Sequence, residues 1–180
     1  IDGGSTDNCG IAGLSSSPAV FNCANIGSNN VTLTVTDFSG NTSTCASIVT
    51  VTDTIAPIAV CQNNTFFLNG AGVINISAAI IDGGSTDNCG IASVNASKTS
   101  FTCSDLGANT VTLTVTDNSG NVSTCDATIT ILDSIAPTAV CQNITVYLDG
   151  AGSATITAAD IDGGSTDNCS SVSLSASQTA

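Results

Sequence analysis

Apolar and polar residues alternate strictly over Thr110-Val-Thr-Leu-Thr-Val-Thr116, with Val111, Leu113 and Val115 on one face and threonine on the other. That period of two marks a half-buried β-strand, and residues 31–36 repeat it as VTLTVT. Thr128-Ile-Thr-Ile-Leu132 alternates in the same way. Val73–Ser77 and Ile144–Leu148 predict two more strands, the first entered through the turn residues Asn69-Gly-Ala-Gly72. Ile91–Ser97 and Ser100–Cys103 predict a hairpin centred near Ala96, and Asn118-Ser-Gly-Asn121 separates the last two strands. Helical periodicity is nearly absent.

The pattern recurs at a fixed interval. IDGGSTDNC occurs at residues 1–9, 81–89 and 161–169, and residues 1–80 agree with 81–160 at 48 of 80 positions without a gap. Self-similarity of this kind marks an array of like units. About seven short alternating strands per period predict a two-sheet sandwich. The expected fold class is therefore all-β: tandem immunoglobulin-like sandwiches of about 80 residues, stapled by disulfides in a rod-like array. The expected boundaries make 1–53 the C-terminal part of one repeat, 54–133 a complete repeat and 134–180 the N-terminal part of the next. The joints, Asp53-Thr-Ile-Ala-Pro57 and Asp133-Ser-Ile-Ala-Pro137, are short, and proline restricts both itself and the residue before it. The 180 residues read as a stretch of a longer array.

Composition narrows the partners. The chain has one basic residue, Lys98, no His, and 14 acidic residues, all Asp, for a net charge of −13. That balance argues against nucleic acid, whose phosphates need Lys and Arg, and against docking on anionic lipid. The apolar runs are too short for a transmembrane helix, so no membrane insertion is expected in this segment. With 42% apolar and 8% charged residues the chain should fold. Its cores, poor in aromatics, call for a covalent staple.

Nine cysteines, four per period, supply it, and they imply an oxidising, extracellular setting. A zinc site is disfavoured by the lack of His and of any C-x-x-C pair. The predicted hairpin sets Cys89 opposite Cys103, with Cys9–Cys23 as the earlier copy. Cys61 lies early in the first strand of a repeat and Cys125 early in the last, so Cys61–Cys125 is the other expected bond. Loop entropy assigns these about 3 and 4 kcal/mol. Cys45, Cys141 and Cys169 are expected to pair outside the stretch.

Several steps of the repeat carry a family likeness. Asp53-Thr-Ile-Ala-Pro57, Val60-Cys61-Gln62-Asn63, Asp87-Asn88-Cys89, Leu106-Gly107, Thr116-Asp-Asn-Ser-Gly-Asn121 and Thr124-Cys125 together resemble the hyalin repeat. Gln62 stands where that repeat usually has proline, and Cys103 is additional to its commoner three-cysteine form. The near-identical copies resemble the giant surface adhesins of Bacteroidota, including those of gliding motility. The resemblance implies an immunoglobulin-like fold, secretion to the bacterial cell surface, and adhesion or filament formation.

The acidic loops are the main candidate for chemistry. In a sandwich of this topology Asp53, Asp82, Asp87, Asp117 and Asn121 converge near the joint between repeats. Ca²⁺ takes six to eight oxygens from carboxylates, amides and carbonyls in irregular loops, so these five are candidate interdomain calcium ligands. The alternative is that Asp, Asn, Gly and Ser make turns and caps. Catalysis is not expected: no His, Glu or Arg is present, and Lys98 is replaced by Pro18 in the other copy. Sequons for N-glycosylation, such as Asn63, Asn75, Asn95 and Asn121, arise readily in so Asn/Ser/Thr-rich a chain. Thr54 and Ser134, each in an Asp-(Ser/Thr)-aliphatic step, resemble the O-glycosylation acceptor of Bacteroidota.

The reading is a structural or adhesive region, an extracellular stalk or filament whose partners are the neighbouring repeats. Lateral filament partners, surface polysaccharide and a host or substratum remain open. The alternative is that each repeat is a specific glycan- or protein-binding module.

Overall fold

A computed structural model describes residues 1–177, and its described part is mainly β-sheet with three disulfides. In the first copy, β1 (Ile11–Ser17), β2 (Gly27–Asp37) and β3 (Thr42–Val51) form an antiparallel sheet in the order β1-β2-β3. The alternation of β2 turns Val31 and Leu33 inward, to 2% and 4% exposure. The β2–β3 turn is closed by Asp37, whose carboxylate accepts from the N–H groups of Ser39 and Asn41, each at 2.8 Å. Gly40 takes φ of 84° there, a value that disfavours any side chain.

The middle copy contains β4 (Asn64–Phe67), β5 (Val73–Asn75), the single helical turn α1 (Ala78–Ile81), β6 (Ile91–Ala96), β7 (Ser100–Thr102), β8 (Gly107–Asp117) and β9 (Val122–Leu132). One sheet has the order β4-β9-β8-β6, and β5 pairs with β7 in a second. β4 runs parallel to β9, with Asn64 opposite Ile129 and Phe67 opposite Leu132. The strands open and close the copy side by side, as Cys61–Cys125 requires. Phe101, Ile81, Val111, Leu113, Ile129 and Ile131 are all at 0% exposure. Each large apolar side chain so buried contributes about 1.5–3 kcal/mol.

Three expectations are corrected. The residues expected as a hairpin do not form one: β6 belongs to the four-stranded sheet and β7 to the two-stranded sheet. The strand expected over Val73–Ser77 ends at Asn75, and Ser77 takes the position before the helical turn α1, without a side-chain capping bond. Ile144–Leu148 forms no strand, although its counterpart does. β4 is a strand because β9 hydrogen-bonds to it, and no described strand lies beside residues 144–148. Pairing, rather than local propensity, decides the matter.

The disulfides follow from the same geometry. Cys61 bonds Cys125, with Cα atoms 5.8 Å apart. Cys23 bonds Cys89 and Cys103 bonds Cys169, with Cα separations of 5.3 and 5.0 Å. The expected pairs Cys9–Cys23 and Cys89–Cys103 do not form; β6 and β7, which lie between Cys89 and Cys103, belong to different sheets and leave no hairpin to bring those two together. Each of the corrected bonds spans 66 residues and joins one expected repeat to the next. Cys9, Cys45 and Cys141 are free and exposed. Cys169, expected to pair elsewhere, is therefore bonded, and Cys9 is not.

By Cα proximity the chain divides into two compact units. One comprises Ile1–Ile58, Thr86–Ser93 and Val115–Ser123; the other comprises Ala59–Ser85, Val94–Thr114 and Thr124–Ala180. Val31, Leu33 and Val115 are buried in the first, and Leu68, Ile76, Ile81, Phe101, Ile129 and Ile131 in the second.

Candidate metal centre

Three loops of the first unit converge around a group of carboxylates. Asp53 opens the proline joint, Asp87 lies in the Asp-Asn-Cys loop before β6, and Asp117 ends β8. One carboxylate oxygen from each lies within 4.8 Å of the others. These are three of the five residues singled out in the sequence.

Local hydrogen bonds hold each carboxylate in place. Asp117 is 1% exposed, and its Oδ1 accepts from the N–H groups of Ser119 at 2.9 Å and Asn121 at 2.7 Å. Asn121 Nδ2 donates to Asp117 Oδ2 at 2.7 Å. Burial pushes the Asp117 carboxyl up, but these bonds from Asn121 and Ser119 outweigh it and hold the group below the usual carboxylate range. Asp53 Oδ1 accepts from Ile55 N–H at 3.1 Å and from Asn88 Nδ2 at 3.3 Å. Asp87 Oδ2 accepts from Cys89 N–H at 2.7 Å.

The remaining oxygens carry the argument for a cation. Asp53 Oδ2 and Asp87 Oδ1 are buried and have no hydrogen-bond partner. A buried acceptor without a partner costs about 1–3 kcal/mol, and more when charged. Hard oxygen donors without nitrogen or sulfur suit Ca²⁺ better than a transition metal. The set supplies three carboxylates, so a calcium ion there would complete its shell with water.

Asn121 and Asp82 have other roles. Asn121 Nδ2 also donates to the carbonyls of Asp53 and Ile55, each at 3.2 Å, which ties the joint to the β8–β9 turn. Asp82 stands outside the trio: its Oδ1 accepts from Ser85 Oγ at 2.6 Å and Ser85 N–H at 2.9 Å. Those bonds hold its carboxyl below the usual range, so Asp82 answers to the turn-forming alternative. The residue missed from the sequence is Asn88, which orients Asp53; its signal was present in the repeated Asp-Asn-Cys step. The next copy begins the same arrangement, with Asn168 Nδ2 donating to Asp133 Oδ1 at 3.2 Å.

The joint also borders a shallow cavity of about 300 Å³ lined by Cys23, Ile26, Asp53, Thr54, Ile55 and Cys89. Thr54 and Ser134, the candidate O-glycosylation positions, are both exposed. No family model matches the chain, and no curated protein matches it.

Proposed function

We propose that this chain is part of an extracellular structural or adhesive array. Its immunoglobulin-like repeats would act as a covalently joined spacer, with calcium bound at each joint by residues such as Asp53, Asp87 and Asp117. The observation that carries the reading is the pair of bonds Cys23–Cys89 and Cys103–Cys169, each of which staples one repeat to the next. Disulfides of this kind suit an oxidising compartment. The parallel pairing of β4 with β9 and the separation of β5-β7 from the larger sheet favour a sandwich over a single meander. No helix of the described residues is long and apolar enough to cross a membrane.

Calcium binding is tested by thermal melting. Extracellular calcium modules bind with Kd of roughly 10⁻⁴–10⁻³ M. At 10 mM Ca²⁺ the folded state would then gain about 1.4–2.7 kcal/mol. The expected result is a midpoint that rises with Ca²⁺ and falls back in EDTA; an unchanged midpoint removes calcium from the reading. Intact mass of protein secreted by its native host tests the glycan at Thr54 and Ser134, where polypeptide mass alone would eliminate it. Tight binding of a two-repeat fragment to a single sugar on a glycan array would instead favour the recognition-module alternative.

A further inference from the structure

We propose that the disulfides make this array a covalent ladder that limits how far the chain can be stretched, even after its β-structure has been pulled apart. The inference goes beyond the spacer reading and does not depend on calcium.

The three closed loops overlap. They run from 23 to 89, from 61 to 125 and from 103 to 169, so every residue from Cys23 to Cys169 lies inside at least one of them. Cys89 and Cys103, which were expected to bond one another, belong to successive staples. Along the backbone those staples are close, since Cys103 lies only 14 residues after Cys89. The shortest covalent route from Cys23 to Cys169 therefore crosses one disulfide, that short segment and a second disulfide. At about 3.5 Å per extended residue this route measures about 60 Å, against about 510 Å for the uncrosslinked chain. The proline joint at 53–57 is not on this route, so a pulling force bypasses it.

Close packing supports the staple in the second unit. Gly72 has φ of 69°, and a Cβ there would meet Cys103 Sγ at 2.5 Å and the Asn168 carbonyl at 2.9 Å. The turn that enters β5 is thus shaped to receive the following copy's Asp-Asn-Cys loop. Asn168 Nδ2 donates to the Asn69 carbonyl at 3.4 Å in that same place.

Cys61–Cys125 begins a second route. Cys141 lies 80 residues after Cys61 and 16 after Cys125, and it occupies the position of Cys61 in the next copy. An array of such copies has two covalent rails, joined by the remaining backbone as rungs. Along the first rail each repeat can lengthen to about 55 Å, whereas 80 free residues would reach about 280 Å. Such a tether transmits load at nearly fixed length instead of absorbing it by unravelling.

The test is single-molecule pulling on the whole chain, held at residues 1 and 180, with Cys9, Cys45 and Cys141 replaced by serine to prevent exchange. The oxidised chain should stop at about 175 Å and the reduced chain at about 630 Å, between three- and fourfold longer. Removing the first staple with Cys23→Ser and Cys89→Ser should raise the oxidised limit to about 340 Å. Removing the other bond with Cys61→Ser and Cys125→Ser should leave it near 175 Å, because that bond is not on the shortest route. The proposal is overturned if the oxidised chain reaches nearly the reduced length, or if the second double variant lengthens as much as the first. Where the first double variant fails to fold, the parent and the second still decide the question. A spacer stapled only within repeats would extend almost fully, so the ladder can fail while the spacer reading stands.

Discussion

Asp37 and Asp117 open the same five-residue turn in successive copies, Asp37-Phe-Ser-Gly-Asn41 and Asp117-Asn-Ser-Gly-Asn121. Each carboxylate accepts from two backbone N–H groups and from an asparagine side chain at nearly the same distances. Their surroundings differ. Asp117 and Val115 are buried, whereas Asp37 and Val35 remain partly exposed, and Phe38 is 75% exposed. Over the Asp117 turn lies the proline joint, held by Asn121 on the Asp53 and Ile55 carbonyls and by Ile58 bridged to Thr86. No described segment covers the Asp37 turn in that way. One turn sequence therefore yields an exposed turn or a buried acidic site according to whether the joint from the preceding copy packs on it. The repeat is a local unit of sequence but a shared unit of structure.

The largest expected effect concerns the bonds that join copies. Replacing Cys23 and Cys89 by serine should cost about 4 kcal/mol by loop entropy, close to the cost of removing Cys61–Cys125. Denaturant melts of the two double variants measure it, and a Cys23/Cys89 variant as stable as the parent would break the comparison. Next is the core beneath the two turns. Val115→Ala should cost about 2 kcal/mol and Val35→Ala less than half of that, since only Val115 is fully buried. Equal losses would show that the joint does not seal the middle copy.

Smaller effects test the acidic site. Asp87→Asn should remove about 1 kcal/mol of the stabilisation by Ca²⁺, whereas Asp7→Asn, at the matching place in the first copy, should leave the calcium shift unchanged. Melting each variant with Ca²⁺ and with EDTA separates them. Acid should produce the mildest change. Hydrogen bonds from Asn41 and from Asn121 leave both Asp37 and Asp117 with folded carboxyl pKa values below the ordinary one. Their stabilisation is therefore complete above about pH 4, the unfolded value, and is lost as pH falls through the folded values. A melting midpoint that stays flat from pH 4 to pH 2 would contradict this.

Much of the fold was legible because it rests on alternation and short turns. The threonine-faced strands at 31–36 and 110–116 lie within β2 and β8, and the Asp-x-Ser-Gly-Asn turns follow them. The first-to-last strand neighbourhood behind Cys61–Cys125 was legible too. The pairing of the other cysteines was not. In a periodic sequence, a bond within one copy and a bond to the next copy involve the same residue types in the same local settings. Choosing between them required knowing that β6 and β7 belong to different sheets. The acidic site was legible as composition, and Asp53, Asp87 and Asp117 do meet. The exclusion of Asp82 was hidden because Ser85, three residues on, takes its carboxylate in a local turn.

Cleavage before aspartate under non-reducing conditions offers the most direct check on cross-linking between copies. Cys9 and Cys23 fall together in peptide 7–36, Cys89 and Cys103 in 87–104, and Cys169 in 167–180. The account predicts that mass spectrometry finds these three peptides joined as one species, which reduction separates. Recovery of 87–104 as a lone, internally bonded peptide would contradict it.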